Sequence, residues 1–122
     1  MEKKLAELSS IVPLIIVDQI PEAGWHVPDE MIHRRTLGIK APLTTNYNVY
    51  KSSNAEVIEL FDRLEPVENI SVIRTADLVC SDDTERCLNE LSGLPLYSDD
   101  DHPFGEFIEM INEQIIGLAV PE

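Results

Sequence analysis

After the charged start Met1-Glu2-Lys3-Lys4, Leu5, Leu8 and Ile11 recur at helical spacing and predict the tail of an amphipathic helix. Leu14-Ile15-Ile16-Val17 is a continuous, mostly β-branched run, the pattern of a strand covered on both faces. Pro13 suits its leading end, because proline has no N–H to give an interior ladder. Residues 18–28 contain Asp18-Gln19, Pro21-Glu22 and Gly24, which break any period, so a loop leaves the carboxyl end of this strand, where open α/β sheets bind ligands. Pro28 with Asp29 and Glu30 opens a short helix: proline is tolerated in a first turn, and acids favour the positive end of the helix dipole. Gly38 and Pro42 mark its end.

Residues 45–64 place Val57, Leu60, Phe61 and Leu64 on one face, with Glu56, Glu59, Asp62 and Arg63 largely elsewhere, and predict one amphipathic helix closed by Pro66. A second strand follows over residues 70–74. Strand, helix and strand in that order make a βαβ step and hence a parallel α/β sheet. Residues 77–83 read as a polar loop holding Cys80. The runs Cys87-Leu88-Asn89-Glu90 and Leu94-Pro95-Leu96-Tyr97 flank Ser92-Gly93 as a small hairpin that Pro95 keeps at an edge. Phe104, Phe107, Ile108, Ile111, Ile115 and Leu118 repeat at three and four, predicting a C-terminal helix packed on the sheet with Gly117 and Pro121 near its stop.

A chain of 122 residues makes one domain, 1–122, with room for one core and not two. Its 43% hydrophobic content and mean hydropathy of -0.08 are those of a folded globular protein. Nine Lys and Arg against 23 Asp and Glu leave a net charge of -14, which repels phosphate backbones and anionic membrane surfaces and excludes nucleic acid as a partner. The longest apolar run, residues 14–17, is far short of the roughly 20 residues that a membrane-spanning helix needs. No apolar segment after Lys4 forms an export signal, and the expectation is a soluble chain. Cys80 and Cys87 lie close together with a polar loop between them, which suits a small disulfide-closed loop better than a metal site, since no second pair exists.

Tyr97-Ser98-Asp99-Asp100-Asp101-His102-Pro103 is the one place where a histidine neighbours a carboxylate cluster. Pro103 pushes His102 toward extended backbone and presets a first helical turn, which sets His102 at or next to the start of the last helix. There the helix dipole opposes protonation while the carboxylates favour it. Asp99, three residues earlier, is spaced to turn back and accept a hydrogen bond from Nδ1. That would fix the tautomer that aims Nε2 at a nucleophile's hydroxyl, as in Ser-His-Asp hydrolases. The same spacing fits a solvated helix-capping turn.

The run from Cys80 and Cys87 through Gly93-Leu94-Pro95-Leu96-Tyr97 to the Tyr-x-Asp-Asp-Asp-His block resembles the end of the SGNH domain attached to bacterial membrane O-acyltransferases that acetylate cell-surface polysaccharides. Val12-Pro13-Leu14-Ile15-Ile16-Val17-Asp18-Gln19-Ile20-Pro21-Glu22, with Gly24 and Val27-Pro28, resembles that domain's strand and its Pro-Glu loop, so the likeness runs over nearly the whole chain. The resemblance implies an α/β fold: a partial, flavodoxin-like three-layer α/β/α sandwich with a parallel sheet, its N-terminal half missing. It implies Asp99 and His102 as the acid and base of a catalytic triad, Cys80 and Cys87 as a disulfide, no cofactor, and a periplasmic or extracytoplasmic location. The implied partners are an N-terminal SGNH half or a membrane acyltransferase domain, an acyl donor and a polysaccharide acceptor. The family's nucleophile lies in a Gly-Asp-Ser block and oxyanion donors in a Gly-x-Asn block; none of the five glycines here begins either. After the histidine the family has Leu-Ser, where this chain has Pro103-Phe104. The expectation is therefore half a triad, inactive alone, or else a non-catalytic module that binds a partner along a sheet edge.

Two acidic sets, Asp82, Asp83 and Glu85 or Asp99, Asp100 and Asp101, offer the oxygens that hard cations take, but neither has EF-hand spacing, and no metal is expected. Ser98 beside Asp99 reads as structural, since neighbouring side chains on extended backbone point apart. His26 reads as loop surface near the site end of the sheet, and His33 as a helix-end charge partner. Tyr47, Tyr50 and Tyr97 read as packing residues with a polar tip.

Overall fold

The computed structural model describes residues 1–119, beginning with helix α1 (Glu2–Ser9) and strand β1 (Leu14–Val17). The loop after β1 ends at His26, which caps helix α2 (Val27–Thr36): its Nδ1 accepts the Asp29 backbone N–H at 3.3 Å, and Pro28 sits in the first turn. Gly38, at φ 74°, takes the left-handed position just past the end of α2.

The single helix expected over residues 45–64 is three elements: strand β2 (Thr44–Asn46), helix α3 (Tyr47–Ser53) and helix α4 (Ala55–Leu64). Two asparagines account for the breaks. Asn46 Oδ1 accepts the Asn48 N–H at 2.8 Å and starts α3, while Asn54 turns its Nδ2 back onto the Tyr50 carbonyl at 2.9 Å and leaves helical backbone. The apolar face read from Val57, Leu60, Phe61 and Leu64 lies entirely on α4.

Strand β3 (Ile70–Ile73) is followed by a helical turn, α5 (Ala76–Val79), where the pattern predicts only polar loop. Ala76 and Val79 are buried, and burial of that short apolar face outweighs its polar neighbours. Strands β4 (Cys80–Ser81) and β5 (Arg86–Leu88) come next, then β6 (Glu90–Leu91) and β7 (Leu94–Pro95). Cys87 and Leu88 therefore pair with β2 and β4, in the order β2-β5-β4, and not with the Leu94 run. The hairpin around Ser92-Gly93 is β6-β7 alone; both turn residues have positive φ, 53° and 80°, as a two-residue type I′ loop demands. The last helix, α6 (Glu106–Ala119), starts two residues after Phe104, and its buried stripe is Phe107 and Ile111 with Ile115 packed alongside. Ile108 and Leu118 are exposed, contrary to the pattern, because a helix on a narrow sheet buries one stripe only, and Phe104, exposed as well, lies before the helix. The stop at Pro121 lies outside the described residues.

β1 and β3 form a parallel pair in which Leu14 faces Ile70 and Val17 faces Ile73. Phe61, Leu64 and Ile70 form a core on one side with Leu5, Leu14 and Val57. On the other side Tyr97, Phe107, Leu96, Val27 and Met31 form the larger core. The result is a mixed α/β architecture in which helices flank a parallel sheet, here of two strands.

Candidate functional site

Residues 96–104 fold back on themselves. The Phe104 N–H donates to the Leu96 carbonyl at 2.9 Å, Tyr97 and Pro103 form an antiparallel bridge, and the Ser98 N–H donates to the His102 carbonyl at 3.0 Å. Three aspartates occupy the tip. Asp99 Oδ1 accepts the backbone N–H groups of Asp101 at 3.0 Å and of His102 at 2.8 Å, an Asx turn that wraps the tip around its carboxylate. Asp99 Oδ2 then stands 2.7 Å from His102 Nδ1. Asp101 Oδ1 approaches the same nitrogen to 2.9 Å. Nε2 carries no hydrogen bond among the described residues, and the His102 side chain is 72% exposed against 37% for Asp99.

His102 does not begin the last helix. Pro103 is spent on the bridge to Tyr97, Gly105 turns at φ 59°, and α6 starts only at Glu106. The helix dipole, which falls off within the first turn, is thus replaced by carboxylates alone. His102 is held above the usual imidazole range, first by its hydrogen bond to Asp99 and then by the charges of Asp99 and Asp101. Asp99 is pulled down to about 2, chiefly by the two backbone N–H donors and then by His102. Asp101 is raised, by partial desolvation and by the neighbouring Asp100.

The tip is pinned to the loop that leaves β1. The Ala23 N–H donates to the Asp100 carbonyl at 2.8 Å and the Val27 N–H to the Asp99 carbonyl at 3.1 Å. Tyr97, packed edge-on against Phe107 with ring centroids 5.5 Å apart, donates its hydroxyl to the buried Pro21 carbonyl at 2.6 Å. Asn89, fully buried, accepts the Trp25 indole N–H at 2.9 Å, and its Nδ2 donates to the Thr45 hydroxyl at 3.0 Å, which in turn donates to the Ala23 carbonyl at 2.8 Å. The Pro-Glu loop and the Asp-Asp-Asp-His block, over 70 residues apart in the chain, thus make one surface. The same loop borders a cavity of about 320 Å³ lined by Glu22, Gly24, Thr45 and Tyr50 among others. Asp18, buried at the end of β1, accepts the Gln19 N–H at 2.6 Å and the Tyr50 hydroxyl at 3.3 Å, and burial raises its carboxyl above the usual range.

Pattern reading singles out Asp99 and misses Asp101 and Asn89. Asp101 carries a signal in being adjacent to His102, but only the turn shows that it faces Nδ1. Asn89 has none, since an asparagine in a strand run looks like a turn residue. Ser98 is exposed, and its backbone serves the turn. His26 is the α2 cap, and His33 lies exposed in the last turn of α2 without an ion pair among the described residues. Tyr47 stacks on Tyr50, and Lys51 lies 4.4 Å above its ring. Cys80 and Cys87, directly opposed across β4 and β5, are joined as a disulfide. Asp82 pairs with Lys51 at 2.9 Å, and the atoms of Asp99, Asp101 and His102 suited to metal ligation lie within 4.8 Å of one another, already engaged among themselves.

The family described as "SGNH domain (fused to AT3 domains)" matches residues 1–116. The chain belongs to the SGNH domain family. No curated protein and no solved structure matches it. The SGNH domain is a hydrolase- and acyltransferase-type family, and its fusion to AT3 domains associates it with an acyltransferase domain. No helix among the described residues is long and apolar enough to cross a membrane.

Proposed function

We propose that this SGNH domain carries the acid and base of a serine-type acyl-transfer site, with His102 as general base and Asp99 as the residue that orients it. The observation that supports this is the 2.7 Å contact between Asp99 and Nδ1, which leaves Nε2 as the free nitrogen on an exposed face. In the reaction Nε2 takes the proton of a serine hydroxyl as it attacks the acyl carbonyl, and Asp99 stabilises the imidazolium that forms. The proton then passes to the departing group. The serine and the donors for the oxyanion come from outside this sequence, which has no Gly-Asp-Ser or Gly-x-Asn block. Acetyl transfer to a cell-surface polysaccharide, beside a membrane acyltransferase domain on the extracytoplasmic face, fits the AT3 association and the Cys80–Cys87 disulfide.

The test is hydrolysis of p-nitrophenyl acetate. The chain alone is expected to show no rate beyond background, and a His102-dependent rate is expected when a polypeptide bearing a Gly-Asp-Ser SGNH half is supplied. A rate by the chain alone that His102→Ala abolishes would mean that the nucleophile is within it, overturning the half-site reading. A partner-binding role without catalysis has one observation in its favour: among the described residues β1 and β3 pair only with each other, leaving their outer edges open. Self-association of the purified chain, abolished by Ile15→Pro, would favour that role.

A further inference from the structure

Positive charge is scarce in this chain, and a third of it borders one cavity. Of nine Lys and Arg, three line a single cavity of about 570 Å³ at the C-terminal end of α2: Arg34, Arg35 and Lys40. That volume lies within the roughly 300–1,000 Å³ typical of small-molecule sites. Lys51, Arg63 and Arg74 are each paired with a carboxylate, whereas none of the three cavity cations has an ion pair among the described residues. The guanidinium groups are held by backbone instead. Arg34 Nη2 donates to the Ala41 carbonyl at 3.1 Å and Arg35 Nη2 to the Gly93 carbonyl at 2.6 Å, so each fork is fixed while its remaining donors stay available.

Two negative contributions oppose an anion here. Glu90 lines the cavity, with Oε2 accepting the Leu43 N–H at 3.1 Å, and the end of α2 adds about half a charge. Three full positive charges exceed both. Ile39, Pro42 and Leu91 supply an apolar wall.

We propose that this cleft binds a small ligand bearing one carboxylate or phosphate, gripped by Arg34, Arg35 and Lys40, with its sugar-like or apolar body against Ile39, Pro42 and Leu91. The site is separate from the Asp99–His102 pair, which meets α2 at its opposite end through Val27; the ten residues of α2 put about 15 Å between them. It does not depend on the acyl-transfer reading.

The experiment is an NMR titration of the whole chain at low salt with inorganic phosphate, with galacturonate and with neutral galactose. Saturable shifts confined to residues 34–43 and 88–93 are expected with at least one anion and not with galactose, weakening as salt is added. Which anion binds tells phosphate from carboxylate. Arg34→Gln is expected to weaken binding about tenfold, and the exposed Lys40→Gln, which leaves the fold intact, about threefold. No saturable response to either anion, an equal response to galactose, or unchanged affinity in both variants overturns the proposal.

Discussion

His102 is clasped twice by one carboxylate: Asp99 takes its backbone N–H on Oδ1 at 2.8 Å and faces its Nδ1 with Oδ2 at 2.7 Å. The ring is thereby tied to the turn that carries it, so its orientation does not depend on a helix end or on a distant partner. An Asx turn and an orienting acid are here the same residue.

Asp99→Asn is expected to lower the His102 pKa toward the ordinary value of 6.5, since the charged hydrogen-bond partner that chiefly holds it up is removed. The linkage signs are opposite for the two partners. The raised His102 contributes stability that is fully present below pH 6.5 and lost as pH rises through its folded value. The depressed Asp99 contributes stability that is present above 3.8 and lost as pH falls toward about 2. Imidazole Hε1 shifts followed against pH measure the first effect; an unchanged midpoint in the variant would refute it.

Tyr97→Phe removes the hydroxyl donor to the buried Pro21 carbonyl and keeps the packing on Phe107. A loss of about 1–2 kcal/mol is expected in urea denaturation. The pinning of the Pro-Glu loop should loosen with it, seen as faster amide exchange at Ala23.

Asn89→Ala removes the buried acceptor of the Trp25 indole N–H and the Nδ2 donor to the Thr45 hydroxyl. The expected cost is about 2 kcal/mol. Trp25 is the only tryptophan, so its fluorescence reports the change directly: a red shift and easier quenching are expected, while retention of the native emission maximum would show that Asn89 does not hold the loop.

Reduction of Cys80–Cys87 releases a loop closed across a sequence separation of 7. Loop entropy predicts a loss of about 2.5 kcal/mol, felt first by β4 and β5. A melting temperature unaffected by dithiothreitol, with free thiols confirmed, would contradict this.

Local features were legible where one signal acts without competition. Pro28 with Asp29-Glu30 starts α2, Ser92-Gly93 makes the hairpin turn, and the apolar run 14–17 and the one starting at Ile70 pair in parallel. The span 45–64 is not one helix because the periodicity belongs to its C-terminal part alone, and the side chains of Asn54 and Asn46 compete for the backbone before it. The placement of His102 failed for a comparable reason: Pro103 permits a helical first turn but was claimed by a strand-like bridge.

The linear chain by itself determined the alternation of elements, the parallel step, the cysteine loop and the three-residue interval from Asp99 to His102, because each follows from backbone sterics, periodicity or short-range reach. Folding in three dimensions decided that Asp101 joins Asp99 at Nδ1, that Asn89 anchors Trp25, that residues 21–27 clamp the aspartate tip, and that Arg34, Arg35 and Lys40 border one cleft with Gly93. Those relationships join residues far apart in the chain through burial and hydrogen-bond satisfaction, and no local pattern encodes which distant group will meet which.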